Sequence, residues 1–462
     1  MPSSFAWERF HEWCQEYDTD ILYLNVAGTN MVILDTAEVA ADLLEQRSSI
    51  YSGRPRMPMV VELMGWDFNI SFMDYGDVWR SHRALVQKTL HPAASDEFRM
   101  HIENATINML NRFLDRPDEM DRNLRQMAAE AIISFTYGLD VNGEDDFYVR
   151  IAEDGMAPMT QAASTRGSVL VDSFPILKHI PEWVPGASFQ RKAREWKRKA
   201  RRMVEVPYAA AKVRFETGES RPSFVSAALQ RMKEDGEDEI HNEDVIKNAA
   251  GSMYSVSAVI SCMLALVKNP DILRRAQLEL DHVIEADRLP CLEDEASLPF
   301  ISALVYEVLR WKVVTPQAVP HCASVDDEYR GYRIPAGTIV VGNAWAMLHD
   351  ERVYPEPSKF NPDRFMKDGK LDCESQPKPD IACWGFGRRI CPGRFMGYSA
   401  IWLAIACIIS VFDVDKAKDE NGDSIEPHEE YVSGLAIIAK PFKYQIKPRS
   451  KMKESMIRSL KD

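Results

Sequence analysis

The stretch WGFGRRICPGR, Trp384 to Arg394, constrains this chain more than any other. It sets Cys391 between arginines and a Pro-Gly step, with glycines on both sides. A helix is predicted to begin just after Pro392, because proline suits a first helical position and the apolar run Ala400–Phe412 follows. Backbone N–H groups at a helix start and nearby cations, here Arg388, Arg389 and Arg394, favour a thiolate. Gly385, Gly387 and Gly393 let backbone lie close against a flat partner.

A thiolate beneath a flat anionic macrocycle meets these demands. Haem iron takes a cysteine ligand, and arginines neutralise the macrocycle's propionates. The competing reading, a buried structural cysteine, suits Cys383 and Cys407 better than Cys391. Composition removes other classes. With 56 Lys+Arg against 70 Asp+Glu the net charge is −14, which argues against a nucleic-acid footprint. The 8 cysteines hold no C-x-x-C pair and the 10 histidines no H-E-x-x-H, so zinc ribbons, redox dithiols and zincin sites are not indicated.

The first 50 residues alternate β-like runs (ILYLNVAG, MVILDTA) with a helix (AEVAADLLEQRS). Residues from about 77 to 270 read as helical, those from about 313 to 345 as short strands, and YVSGLAIIAKPFKYQIKP as a hairpin. One long helix is predicted over Asn242–Lys268, ended by Pro270. The fold class is therefore mainly α with small β patches (α+β), in a single large domain spanning 1–462. Residues 449–462 read as a frayed tail. The basic run RKAREWKRKARR (191–202) reads as a solvated helix face. The apolar FPILKHIPEWVPG before it supports a second reading, peripheral membrane contact. The longest uncharged apolar run, 13 residues, is too short to span a bilayer.

The cysteine loop resembles that of cytochromes P450, F-x-x-G-x-R-x-C-x-G, through Gly387, Arg389, Cys391 and Gly393. Trp384 stands where that family usually has Phe. Three further motifs match in order: WRSHR with Trp79 and Arg83, EVLR with Glu307 and Arg310, and FNPDRF with Arg364. The chain is most similar in type to fungal microsomal members, the group containing the O-methylsterigmatocystin oxidoreductases. The resemblance implies that Cys391 ligates haem iron. Trp79, Arg83, His321 and Arg389 would contact haem propionates, with Trp384 and Gly393 close to the sulfur. Glu307, Arg310 and Arg364 would form a structural triad. It also implies a monooxygenase using O2 and electrons from NADPH through NADPH–cytochrome P450 reductase, acting on an apolar small molecule of secondary metabolism. Candidate reductase contacts are the basic residues around the loop with Arg80 and Lys88. The implied location is the cytosolic face of the endoplasmic reticulum membrane. The usual N-terminal anchor is not seen before MPSSFAWERF, so a cytosolic location is the alternative.

One departure bears on mechanism. Family members carry an A-G-x-[DE]-T-[TS] turn on the distal helix, whose acid and alcohol feed protons to dioxygen. No Asp/Glu-Thr step exists between Val245 and Lys268. Without a gap, Met253 and Tyr254 take those positions, followed by Ser255; alternatively six residues are missing between Ser255 and Val256. Six residues are about 9 Å of helix and ~600° of rotation, leaving the halves about 120° out of phase. Ser252, Tyr254 and Ser255 are the candidate proton donors, although helix hydroxyls commonly bond back to the backbone. A haem-thiolate isomerase or dehydratase, or a haem-binding paralogue with impaired oxygen activation, is the rival reading.

Overall fold

The computed structural model describes residues 2, 4–91, 95–141, 143, 146–164, 170–172, 174–236, 238, 240, 242–253 and 258–460. Its longer helices are α1 (Ala6–Glu16), α2 (Asp77–Thr89), α3 (Ser95–Asp115), α4 (Met120–Tyr137), α5 (Phe147–Ser164), α6 (Ser188–Glu216) and α7 (Phe224–Asp235). They continue with α8 (Glu243–Gly251), α9 (Val259–Lys268), α10 (Pro270–Val283), α11 (Pro299–Trp311), α12 (Arg394–Val411) and α13 (Lys451–Ser459). Strands used below are β1 (Ile21–Val26), β2 (Thr29–Leu34), β3 (His321–Cys322), β4 (Ile339–Gly342), β5 (Phe412–Lys416), β6 (Tyr431–Val432), β7 (Ile438–Ala439) and β8 (Tyr444–Pro448).

Apolar patterning decides which helices lie inside. α11 opens on Pro299, and every residue from Phe300 to Trp311 is buried. α12 starts after the Pro392-Gly393 step and carries apolar residues on all sides, so it is packed among α3, α10 and α11. Among the described residues it alone is long and apolar enough to cross a membrane, but 61% of its apolar window is buried, as in a core helix. α6 is amphipathic: Ala193, Trp196, Ala200 and Val204 face inward while most of the basic run 191–202 faces solvent.

The main sheet has the order β1-β2-β4-β3, with β2 and β4 parallel and the other pairs antiparallel. Parallel pairing sets Leu34 opposite Gly342, close to the cysteine loop.

Three sequence expectations are corrected. Tail residues 451–459 form α13, capped by Ser450 and seated on α3 through buried Met456 and Ile457. Its inward apolar residues were too few to stand out against the basic composition. The final hairpin is divided: β6 pairs with β7, whereas β8 pairs with β5. The single helix over 242–268 is two helices, α8 and α9. α8 packs on α2, α6 and α7, whereas α9 packs on β5, α4 and α10–α12, so each half serves different neighbours.

Candidate haem site

Cys391 lies between a tight turn at Gly387–Arg389 and the start of α12. Its N–H donates to the Trp384 carbonyl (2.8 Å), which closes the loop on itself. Gly393 N–H donates to the sulfur, Arg394 Nη1 to the Cys391 carbonyl (3.2 Å), and Arg83 Nη1 to the Ile390 carbonyl (2.6 Å). Burial pushes the Cys391 thiol up, while the Gly393 amide, Arg83 and Arg394 pull it down. Bound iron would favour the deprotonated sulfur. Arg388 and Arg389, read from the sequence as partners of the thiol, point elsewhere. Arg388 donates to Tyr75 Oη (2.9 Å) and Arg389 to the Ser52 carbonyl (2.8 Å).

One loop glycine, Gly387, serves the loop's seat. Gly387 has φ +51°, and a Cβ there would lie 2.0 Å from the Leu44 carbonyl oxygen. Its freedom is thus used against protein backbone. Phe386 is buried over Gly342, where a Cβ would come within 2.4 Å of its ring. The loop is wedged between the helical segment Ala41–Gln46 and β4. Trp384 donates its indole N–H to Asp380 (3.0 Å) and lays its ring near Gly397 of α12.

The predicted triad is assembled. Glu307 takes Arg310 in bidentate fashion (2.7 and 2.9 Å), Arg364 Nε (3.0 Å) and the Asn361 N–H (2.8 Å). Arg310 also donates to the carbonyls of Leu348 and Pro357, and Arg364 to that of Pro355. Buried charges survive only when so fully bonded. The network fastens α11 to residues 348–364, ahead of the cysteine loop.

A second buried set is cationic. Arg54 donates to the carbonyls of Ser71, Val319 and Pro320, and burial beside Arg389 drives its guanidinium well below the usual range. His321 on β3 meets the Tyr51 carbonyl through Nδ1 (2.7 Å); burial and Arg54 press its pKa to about 3. Arg389 lies 4.4 Å over the buried Trp79 ring, and its Nη2 is buried with no hydrogen-bond partner. Two enclosed guanidiniums, one with a free donor, fit a ligand that brings carboxylates. Sequence reasoning missed Arg54. Its signal was the Gly-Arg-Pro step: Gly53 bridges Cys322, which sets Arg54 beside β3. Of the residues read as propionate contacts, Trp79, His321 and Arg389 lie with this set, and Arg83 lies beside it, 5.9 Å over the Trp79 ring, while also donating to the cysteine loop.

At the C-terminal end of α8, Ser252 Oγ donates toward Asn248 O (2.8 Å) and Phe68 O (3.3 Å), and accepts from Ile70 N–H (3.1 Å). It pins the helix end to residues 68–70. Tyr254 and Ser255 lie outside the described residues.

Comparison with known proteins agrees with this geometry. A family model described as cytochrome P450 matches residues 4–446. The chain is 41% identical to cytochrome P450 monooxygenase 98 of Postia placenta, over all of this chain and 90% of that protein. It is 40% identical to tryptamine 4-monooxygenase of Psilocybe cyanescens, over 97% of this chain and 90% of that one. A solved zebrafish cytochrome P450, in a structure with abiraterone, matches 96% of this chain and all of its own at TM-score 0.77 and 20% identity, a likeness of fold. A haem enzyme with a cysteine-thiolate ligand is the class these findings define. The chain belongs to the cytochrome P450 family, and its activity is that of a monooxygenase.

Proposed function

We propose that this enzyme inserts one atom of O2 into an apolar, ring-bearing organic substrate of fungal secondary metabolism, using NADPH electrons passed on by cytochrome P450 reductase. One observation carries the substrate class. Met59, Met64, Trp66, Phe68, Phe72 and Val204 belong to a buried apolar cluster separate from the main core, with Val319 beside it. By the family resemblance these segments would face the substrate, where an apolar wall selects by shape and buried area. The relative named for tryptamine supports a ring-bearing molecule. Bound haem iron supplies dioxygen chemistry; Cys391 would ligate it, and Arg54, Arg389 and His321 would hold its carboxylates. Arg80, Lys88 and Arg388 are exposed around α2 and the cysteine loop, where they suit an acidic reductase surface. Exposed Ile176 (73%) and Trp183 (80%) beside the basic face of α6 support contact with the cytosolic face of the endoplasmic reticulum membrane.

The experiment is twofold. Reduced protein with carbon monoxide should show the red-shifted Soret band of thiolate ligation, lost in Cys391→Ala. Purified reductase should then drive steady NADPH consumption that rises with substrate, screened by binding difference spectra against indoles, terpenoids and polyketides. Ser252 favours a second reading. Its hydroxyl is already committed to the backbone, and no acid stands directly before it, so proton delivery by Ser252 is weak. Carbon monoxide binding without NADPH consumption would select an isomerase, dehydratase or impaired paralogue.

A further inference from the structure

Tyr75 stands just ahead of α2, its ring centroid 5.2 Å from that of Trp79. Three guanidiniums face this one ring: Arg388 at 5.4 Å, Arg80 at 5.5 Å and Arg389 at 5.9 Å. Arg80 and Arg388 are exposed, whereas Arg389 is buried. Tyr75 N–H donates to Asp74 Oδ1 (2.8 Å), the same oxygen that takes Arg54 N–H (3.0 Å). The ring is therefore registered to the buried cations through the backbone. Arg389 has one short hydrogen bond, Nε to Ser52 O (2.8 Å); its Nη1 contact to Ile70 O is 3.5 Å and its Nη2 has none. Hydrogen bonds alone leave that guanidinium free to pivot about Nε. The faces of Trp79 and Tyr75 stop the pivot. An aromatic quadrupole attracts cations, so the ring holds Arg389, while Arg388 is held by the hydroxyl as well, donating to Tyr75 Oη (2.9 Å).

We propose that Tyr75 is a positioning residue: its ring fixes Arg389 against Trp79, and so sets the positive charge at the carboxylate edge of the cofactor, apart from the surface arginines Arg80 and Arg388. This rests on the reading of Arg389 as a carboxylate contact; Tyr75 itself touches no cofactor. Fixed positive charge favours the more negative, ferrous cofactor, so holding Arg389 in place raises the midpoint potential.

The test uses the haem-loaded protein and two readouts, the ferric/ferrous midpoint by spectroelectrochemistry and the rate of haem transfer to apomyoglobin. Tyr75→Phe keeps the ring and should match wild type in both. Tyr75→Ala should speed haem loss about two- to fivefold, the size of one guanidinium–ring contact. It should lower the midpoint by about threefold in the equilibrium ratio, or ~28 mV at 59 mV per decade for one electron. Tyr75→Leu, which fills the space without a quadrupole, should behave like Tyr75→Ala and serves if the smaller side chain fails to fold. Arg389→Met should shift both readouts at least as far, and adding Tyr75→Ala to it should change nothing more. If Arg389→Met shifts both and Tyr75→Ala and Tyr75→Leu do not, the assignment of Tyr75 falls alone. If Arg389→Met is silent too, the reading of Arg389 falls with it. A Tyr75→Phe as impaired as Tyr75→Ala also overturns the proposal, because the hydroxyl rather than the ring would carry the effect.

Discussion

Glu307→Ala should be among the most damaging single changes that leave the haem ligand intact. The carboxylate accepts four hydrogen bonds, from Arg310 Nε and Nη2, Arg364 Nε and Asn361 N–H. Arg310 and Arg364 side chains are 0% and 5% exposed, so neither charge can turn to water when its partner goes. Removing one member of a buried ionic network costs ~3–5 kcal/mol. For 462 residues at ~2.1 cal/mol/K per residue, about 4 kcal/mol lowers Tm by about 4 °C. Glu307→Gln should cost nearly as much, because it keeps the shape but turns an NH2 toward a guanidinium. Arg364→Met should cost less, about 1–2 kcal/mol, because Arg310 and Asn361 still satisfy the carboxylate. The assay is thermal unfolding of haem-loaded protein by near-ultraviolet circular dichroism, with haem content read in parallel. Haem content should fall in step, since the network anchors the chain leading to the cysteine loop. A Glu307→Ala Tm within 1 °C of wild type, or an Arg364→Met protein less stable than Glu307→Ala, would refute the reasoning.

Gly387→Ala should lose at least about 2 kcal/mol and much of its haem, because the added Cβ meets the Leu44 carbonyl at 2.0 Å in a positive-φ position; wild-type urea stability and haem content would contradict it. His11 is bonded to Asp35 (2.6 Å), which raises its pKa against the effect of burial, with Asp350 raising it further and Arg352 opposing. A raised folded pKa means that this bond stabilises the fold fully below about pH 6.5, the ordinary histidine value, and less as pH climbs through the folded value. The unfolding free energy of wild type from urea titration should therefore exceed that of His11→Gln by about 1 kcal/mol at pH 6 and approach it by pH 9; a gap that widens with pH would contradict the assignment. Ser252→Ala should lose about 1 kcal/mol of stability and keep substrate turnover within twofold, whereas a tenfold loss of turnover would reinstate Ser252 as a proton donor.

What was legible in the sequence divides by physical cause. Cys391 and the Glu307–Arg310–Arg364 set could be read because their chemistry tolerates few residue types at few spacings, whereas Gly387, read toward a flat partner, faces the Leu44 carbonyl. The directions of Arg83, Arg388 and Trp384 could not. Each side chain reaches a partner far away in sequence or not fixed by spacing, respectively Ile390 O, Tyr75 Oη and Asp380. Arg54 was hidden for the same reason, since its carbonyl partners include Val319 and Pro320. The break between α8 and α9 was hidden differently. In α8 only one side is buried, through Val245, Ile246, Ala249 and Ala250, so its phase is fixed against α2, α6 and α7. In α9 every residue from Val259 to Val267 is buried. A stretch apolar on all sides fits any helical phase, so periodicity carries no information about whether it continues the helix before it. Pro270 marked the far end of that region because proline leaves a backbone signature independent of phase. No such residue stands at 252–258, and the boundary there is set by the two halves' neighbours: Gly251 is pressed against Val204 of α6, with 2.8 Å left for a Cβ, while α9 belongs to the core around α12.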